Sequence, residues 1–121
     1  MKMSRNLNKN QIMNNPMKEI TAEELKARMD AKADFTLIDV REPLEYETGN
    51  IQGISIPVGQ VLDRIDEIPK NGDVIIHCKA GSRSANVIHY LQSELGYDNL
   101  INLKGGILAW KMNINPNLDV L

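Results

Sequence analysis

Four short apolar runs recur along the chain, each bounded by polar or turn-forming residues: Phe35–Val40, Gly53–Pro57, Val74–His77 and Leu100–Leu103. Runs of this length read as buried strands. Between them the apolar positions shift to helical spacing. Thr21-Ala22-Glu23-Glu24 has the outline of a capping box, and Ala22, Leu25, Ala27 and Met29 carry the predicted helix to about Asp30. Pro43 suits the first turn of a short helix, Leu44–Thr48, which Gly49 ends. Val58, Val61, Leu62 and Ile65 predict a helix over 58–66, and Pro69–Gly72 a turn. Ala85, Ile88, Leu91 and Leu95 predict one from Ser84 to Leu95, with Gly96 as its C-terminal cap. Gly105-Gly106 opens a last helix, Ile107–Lys111. Strands alternating with helices predict an α/β fold, a mostly parallel sheet of about five strands with helices on both faces. The Asn-rich, polar residues 1–17 are expected to form a disordered tail, and 18–121 a single domain.

Composition narrows the partners more than it changes this picture. Hydrophobic residues make up 42% and charged residues 25%, and net charge is −2, so no general attraction to nucleic acid or to an anionic membrane is expected. Aromatic residues are 4% of the chain, too few for a stacked single-strand site. The N-terminus lacks the continuous apolar core of a secretory signal, which makes a cytoplasmic protein the expectation.

The candidate chemistry lies in one loop. Cys78, the single cysteine, opens Cys78-Lys79-Ala80-Gly81-Ser82-Arg83-Ser84 between a predicted strand and a predicted helix. One cysteine permits no internal disulfide and no multi-cysteine zinc site, and no metal or cofactor is expected. Unpaired amides at a helix N-terminus and neighbouring cations both favour a thiolate. Gly81 lets the backbone turn tightly enough for several N–H groups to converge on sulfur. Lys79 and Arg83 either bind an anionic substrate or pair with carboxylates. Ser82 and Ser84 can hydrogen-bond the loop, with Ser84 expected as the N-cap of the helix.

Asp39, Arg41 and Glu42 follow another strand end and can reach the same rim. Asp39 and Glu42 are expected to support the loops, whereas Arg41 either adds positive potential at the mouth or pairs with a carboxylate. His77 neighbours Cys78 on a strand and so points to the opposite face, which disfavours a Cys–His dyad. His89 is expected on the exposed side of its helix, and Trp110 in the core or a pocket wall.

Four segments in order resemble a single-domain rhodanese, a sulfurtransferase family: Leu37–Tyr46, Gly49–Gly53 with Ile56-Pro57, Cys78–Ser84, and Gly105–Trp110. Asn50 stands where the family commonly has His, and Ile54 near a usual Ala. The resemblance implies that Cys78 accepts a sulfane sulfur from a small anionic donor such as thiosulfate. The resulting persulfide passes it to a thiophilic acceptor, cyanide or a thiol. Lys79, Ala80, Gly81, Ser82, Arg83, Ser84 and Arg41 would form the substrate site. A second reading keeps the chemistry but makes the protein a persulfide carrier, loaded by a partner such as a cysteine desulfurase. Cysteine phosphatases and arsenate reductases of related fold use Cys-x5-Arg, whereas this chain has Cys-x4-Arg, a tighter loop better suited to sulfur than to phosphate.

Overall fold

The computed structural model describes residues 17–121. Five parallel strands form one sheet in the order β1-β5-β4-β2-β3, with β1 Glu19–Ile20, β2 Thr36–Asp39, β3 Ile54–Ser55, β4 Val74–His77 and β5 Leu100–Leu103. The central strands β4 and β5 are buried at every position. That is why they read as unbroken apolar runs: a parallel sheet covered on both faces has no wet side to alternate towards.

Strand parity sorts the side chains into two cores. Ile38, Val74, Ile76 and Leu100 pack with Val87, Ile88 and Leu91 of helix α3, Ser82–Leu95. Leu37, Ile75, Ile101 and Leu103 pack on the other face with Leu25 of α1, Ala22–Asp30, and Ile107 and Trp110 of α4, Gly106–Asn113. Removing such a side chain from water stabilises the fold by about 1.5–3 kcal/mol, so these layers supply its main driving force. Cys78 continues the parity of Val74 and Ile76 and joins the α3 face.

The capping box of α1 forms as its sequence suggests: Glu24 N–H donates to Thr21 Oγ1 at 3.1 Å, and Thr21 N–H to Glu24 Oε1 at 2.8 Å. Helix α2 spans Pro43–Thr48, with Pro43 in its first turn. Residues 58–66 depart from expectation. Instead of one helix they form two 3-10 turns, Val58–Gln60 and Ile65–Glu67. Gly59, Asp63 and β-branched Val58, Val61 and Ile65 are weak helix formers, and within that span only Val61 is fully packed in the core. Of the expected tail, residues 1–16 lie outside the described part. Met17 is partly buried against the α3-face core.

Candidate active site at the turn between β4 and α3

Strand β4 ends at His77 and α3 begins at Ser82, two residues earlier than the apolar spacing indicates. Gly81 is the N-cap, at φ +114°, a backbone angle that side-chain-bearing residues rarely adopt. Ser84 is therefore not the cap. It sits inside the first turn, where its backbone and side chain both face Cys78.

Three groups converge on Cys78 Sγ. Gly81 N–H donates at 3.1 Å, Ser84 N–H at 3.4 Å, and Ser84 Oγ lies 3.3 Å away. Cys78 is only 1% exposed, and a low-dielectric setting strengthens each bond. The loop's carbonyls are turned the other way. Ile107 N–H donates to Cys78 O at 2.9 Å and Leu108 N–H to Lys79 O at 3.0 Å, so the first turn of α4 satisfies them. This leaves N–H groups, rather than carbonyl oxygens, around the sulfur.

That docking depends on Gly106. A Cβ there would stand 2.4 Å from Lys79 O and 2.7 Å from Cys78 O, at φ +62°. Gly106→Ala is expected to cost at least about 2 kcal/mol, combining left-handed strain with backbone overlap. It should also slow alkylation of Cys78, and thermal melting with timed iodoacetamide labelling measures both.

Asn102 is a site residue that the sequence reading passes over. Its Nδ2 donates to Gly81 O at 3.2 Å, and its Oδ1 accepts from Ser84 Oγ at 2.6 Å. The signal was a lone amide within Leu100–Leu103, at the parity of Leu100 and hence on the thiol's face. Ser84 has one hydroxyl proton for three neighbours, Asn102 Oδ1, Gly81 O at 3.2 Å and Cys78 Sγ. When Asn102 takes it, Oγ can accept from the Cys78 thiol; when sulfur is anionic, the hydroxyl can turn to donate to it.

Arg83 is committed to an ion pair. Its Nη1 and Nη2 donate to Glu45 Oε1 and Oε2 at 2.7 and 2.9 Å, a fork across to α2. The same Oε1 accepts from Glu42 N–H at 3.0 Å. The Arg83 hydrogen bonds hold the Glu45 carboxyl down to about 2, against an ordinary value of 4.5. With the folded value depressed, the pair's stabilisation is complete above 4.5 and fades as pH falls towards about 2. The stability gap between wild type and Glu45→Gln is accordingly expected to be flat above that value and to shrink in acid, as denaturant titrations across pH would show.

The remaining residues of the predicted site separate. Lys79 is half-buried and makes no ion pair among the described residues, while Ala80 and Ser82 are exposed on the rim. Arg41 is not at the mouth. It is 0% exposed, with Nε donating to Asp39 Oδ1 at 3.0 Å, Nη2 to Asp39 Oδ2 at 2.8 Å, and Nη2 to Gly49 O at 2.8 Å. A buried guanidinium needs such a partner, and Asp39, two residues earlier, supplies it. Glu42 is exposed and caps α2 through its backbone.

His77 shares the sheet face of Asp39, to which it is register-paired, with Nε2 3.5 Å from Asp39 Oδ2. Burial pushes its pKa down, against the opposing pull of Asp39. It is thus a neutral core residue on the far face from the sulfur. His89 is exposed and Trp110 is buried in the core of the α4 face. Among the described residues no cluster of His, Cys, Asp and Glu is arranged to hold a metal ion, and no helix is long and apolar enough to cross a membrane.

A thiol cradled by amides, beside a hydroxyl that can accept or donate, is equipped to carry negative charge on sulfur. The chain is similar to known proteins over most of its length. The rhodanese-like domain model matches residues 21–113. A sulfurtransferase of Allochromatium vinosum is 40% identical over 93 residues, covering 76% of this chain and 86% of that protein. YtwF of Bacillus subtilis is 35% identical over 101 residues, covering 83% and 96%. A rhodanese-like domain protein of Staphylococcus aureus superposes with a TM-score of 0.73 at 32% identity, covering 87% of this chain and 99% of that one. With the family model spanning every element from α1 to α4, the cysteine loop included, the chain belongs to the rhodanese-like domain family.

Proposed function

We propose that the protein is a sulfurtransferase that carries a sulfane sulfur as a persulfide on Cys78. The Cys78 thiolate attacks the outer sulfur of a donor such as thiosulfate. An Sγ–S bond forms, the donor's S–S bond breaks, and sulfite leaves with the electron pair. An acceptor nucleophile, cyanide or a thiolate, then takes the outer sulfur and regenerates the thiolate. No redox partner or metal enters the balance.

The observation that carries this reading is the convergence of Gly81 N–H, Ser84 N–H and Ser84 Oγ on Cys78 Sγ. The cradle supports an anion on sulfur without a general base, and none is adjacent, since His77 lies on the other face. The relative named a sulfurtransferase adds support. The phosphatase reading loses ground because Arg83, the cation that would clasp an oxyanion, is already forked to Glu45. A cytoplasmic setting, where thiols stay reduced, suits the chemistry.

Turnover with thiosulfate and cyanide, read as thiocyanate, tests the proposal. Thiocyanate formed in proportion to the protein, and abolished by blocking Cys78 with iodoacetamide, is the expected result. Absence of sulfur transfer from thiosulfate and from a small-molecule persulfide would overturn it.

A further inference from the structure

Arg83 and Glu45 bear on which donor the thiol accepts, a question that rests on the persulfide reading above. The loop has two cations, Lys79 and Arg83. Arg83 is 37% exposed and Glu45 15%, so the pair lies at the edge of the site, partly shielded from water. Both guanidinium nitrogens used in the fork are spent on the carboxylate. The carboxylate is itself anchored by the amide of Glu42, the residue that caps α2, which fixes where the guanidinium sits. Arg83 is held charged chiefly by its hydrogen bonds to Glu45, with Cys78 and Glu42 also acting on it. The thiol, one arginine and two carboxylates therefore share one electrostatic neighbourhood. With Lys79 added, two positive charges face two carboxylates and, once Cys78 is ionised, the thiolate as well, before any donor arrives. A mouth of this kind has little net field with which to draw in a dianion.

We propose that Glu45 sets the charge preference for the sulfur donor: by neutralising Arg83, it makes the site favour donors with one negative charge at the reacting end, persulfides R–S–S⁻ and monoanionic thiosulfonates, over the thiosulfate dianion. The transfer balances in either case. With methanethiosulfonate the Cys78 thiolate takes the outer sulfur, the S–S bond breaks, and methanesulfinate leaves with the electron pair. Glu45 touches no reacting atom. It is a positioning residue that acts through Arg83, and losing its charge would free the fork for a sulfonate.

The test measures single-turnover loading of Cys78 by thiosulfate and by methanethiosulfonate, each read as cyanide-labile sulfur by intact mass, in the full chain. The ratio of the two rates within one variant cancels any change in folded fraction, and comparison with wild type cancels the donors' intrinsic reactivity. Glu45→Gln is expected to move the ratio about tenfold towards thiosulfate, the lower end of what local fields do to association of charged ligands. Arg83→Gln, which leaves Glu45 uncompensated, is expected to move it the opposite way. Glu45→Asp, which keeps the charge, is expected to stay near wild type. An unchanged ratio in Glu45→Gln, or movement of Glu45→Gln and Arg83→Gln in the same direction, overturns the proposal. Failure of both donors to place sulfur on wild-type Cys78 overturns the persulfide reading and the proposal with it.

Discussion

Cys78→Ser is expected to leave a folded protein whose sulfur transfer falls below about one part in a thousand of wild type, the scale of loss when a nucleophile that forms a covalent intermediate is removed. Serine fits because the position is already lined with donors. A hydroxyl oxygen there can accept from Gly81 N–H and Ser84 N–H, the groups that now meet Sγ. The stability change is accordingly held to about 1–2 kcal/mol, the scale of altering one buried hydrogen-bonded group. The activity does not survive because a hydroxyl without an adjacent base is a weak nucleophile at neutral pH. The neighbouring histidine cannot rescue it, since His77 faces Asp39 across the other side of the sheet. Circular dichroism and denaturant unfolding establish the fold, and thiocyanate formation the activity. Substantial turnover in a folded Cys78→Ser protein would contradict the mechanism.

Arg41→Ala has the largest expected effect on stability, a loss of about 3–5 kcal/mol, typical when one partner of a buried ion pair is removed. Asp39 would remain as a carboxylate in a site where both residues are 0% exposed. It would keep the backbone N–H of residue 41, 3.0 Å from Oδ1, and the long contact to His77 Nε2 at 3.5 Å, but neither carries a charge, since that ring is kept neutral by burial. Gly49 O would lose its donor as well. Domains have about 5–15 kcal/mol of stability in total, so the loss would remove between a fifth and all of it. Arg41→Lys should recover only part of the loss, because an ammonium cannot reproduce the fork to Asp39 and the bond to Gly49 together. Urea titration gives the numbers. A loss under about 1 kcal/mol, the range of exposed ion pairs, would show that the pair adds little to the fold.

Strands β2, β4 and β5 were legible because they are buried on both faces, so burial alone wrote continuous apolar runs into the sequence, whereas the two-residue edge strand β1 left no such run. Helix α1 was legible because its cap is local: Thr21 and Glu24 are three residues apart. Residues 58–66 misled because Val58, Val61, Leu62 and Ile65 are spaced like a helix face. Yet Val58 and Leu62 are 42% and 53% exposed, so no continuous buried stripe holds a helix in place.

At the site, the thiol and its turn were legible from one cysteine, one glycine and a change of period. The pairings were not. Arg83 with Glu45 and Ser84 with Asn102 join residues 38 and 18 positions apart in sequence. Contacts of that range depend on strand order, which local pattern does not specify. Arg41 shows the same limit at short range. Its spacing from Asp39 fits either an exposed rim or a buried pair, and the burial that decides between them comes from the packed fold.

The central claim is that Cys78 becomes a persulfide, and intact mass spectrometry without reductant addresses it most directly. The protein is incubated with thiosulfate or, in parallel, with a small-molecule persulfide, then desalted and weighed beside Cys78→Ser. The expected result is a gain of one sulfur atom that cyanide removes and that is absent from the serine variant. A wild-type mass unchanged by both donors, with the thiol still open to alkylation, would contradict it.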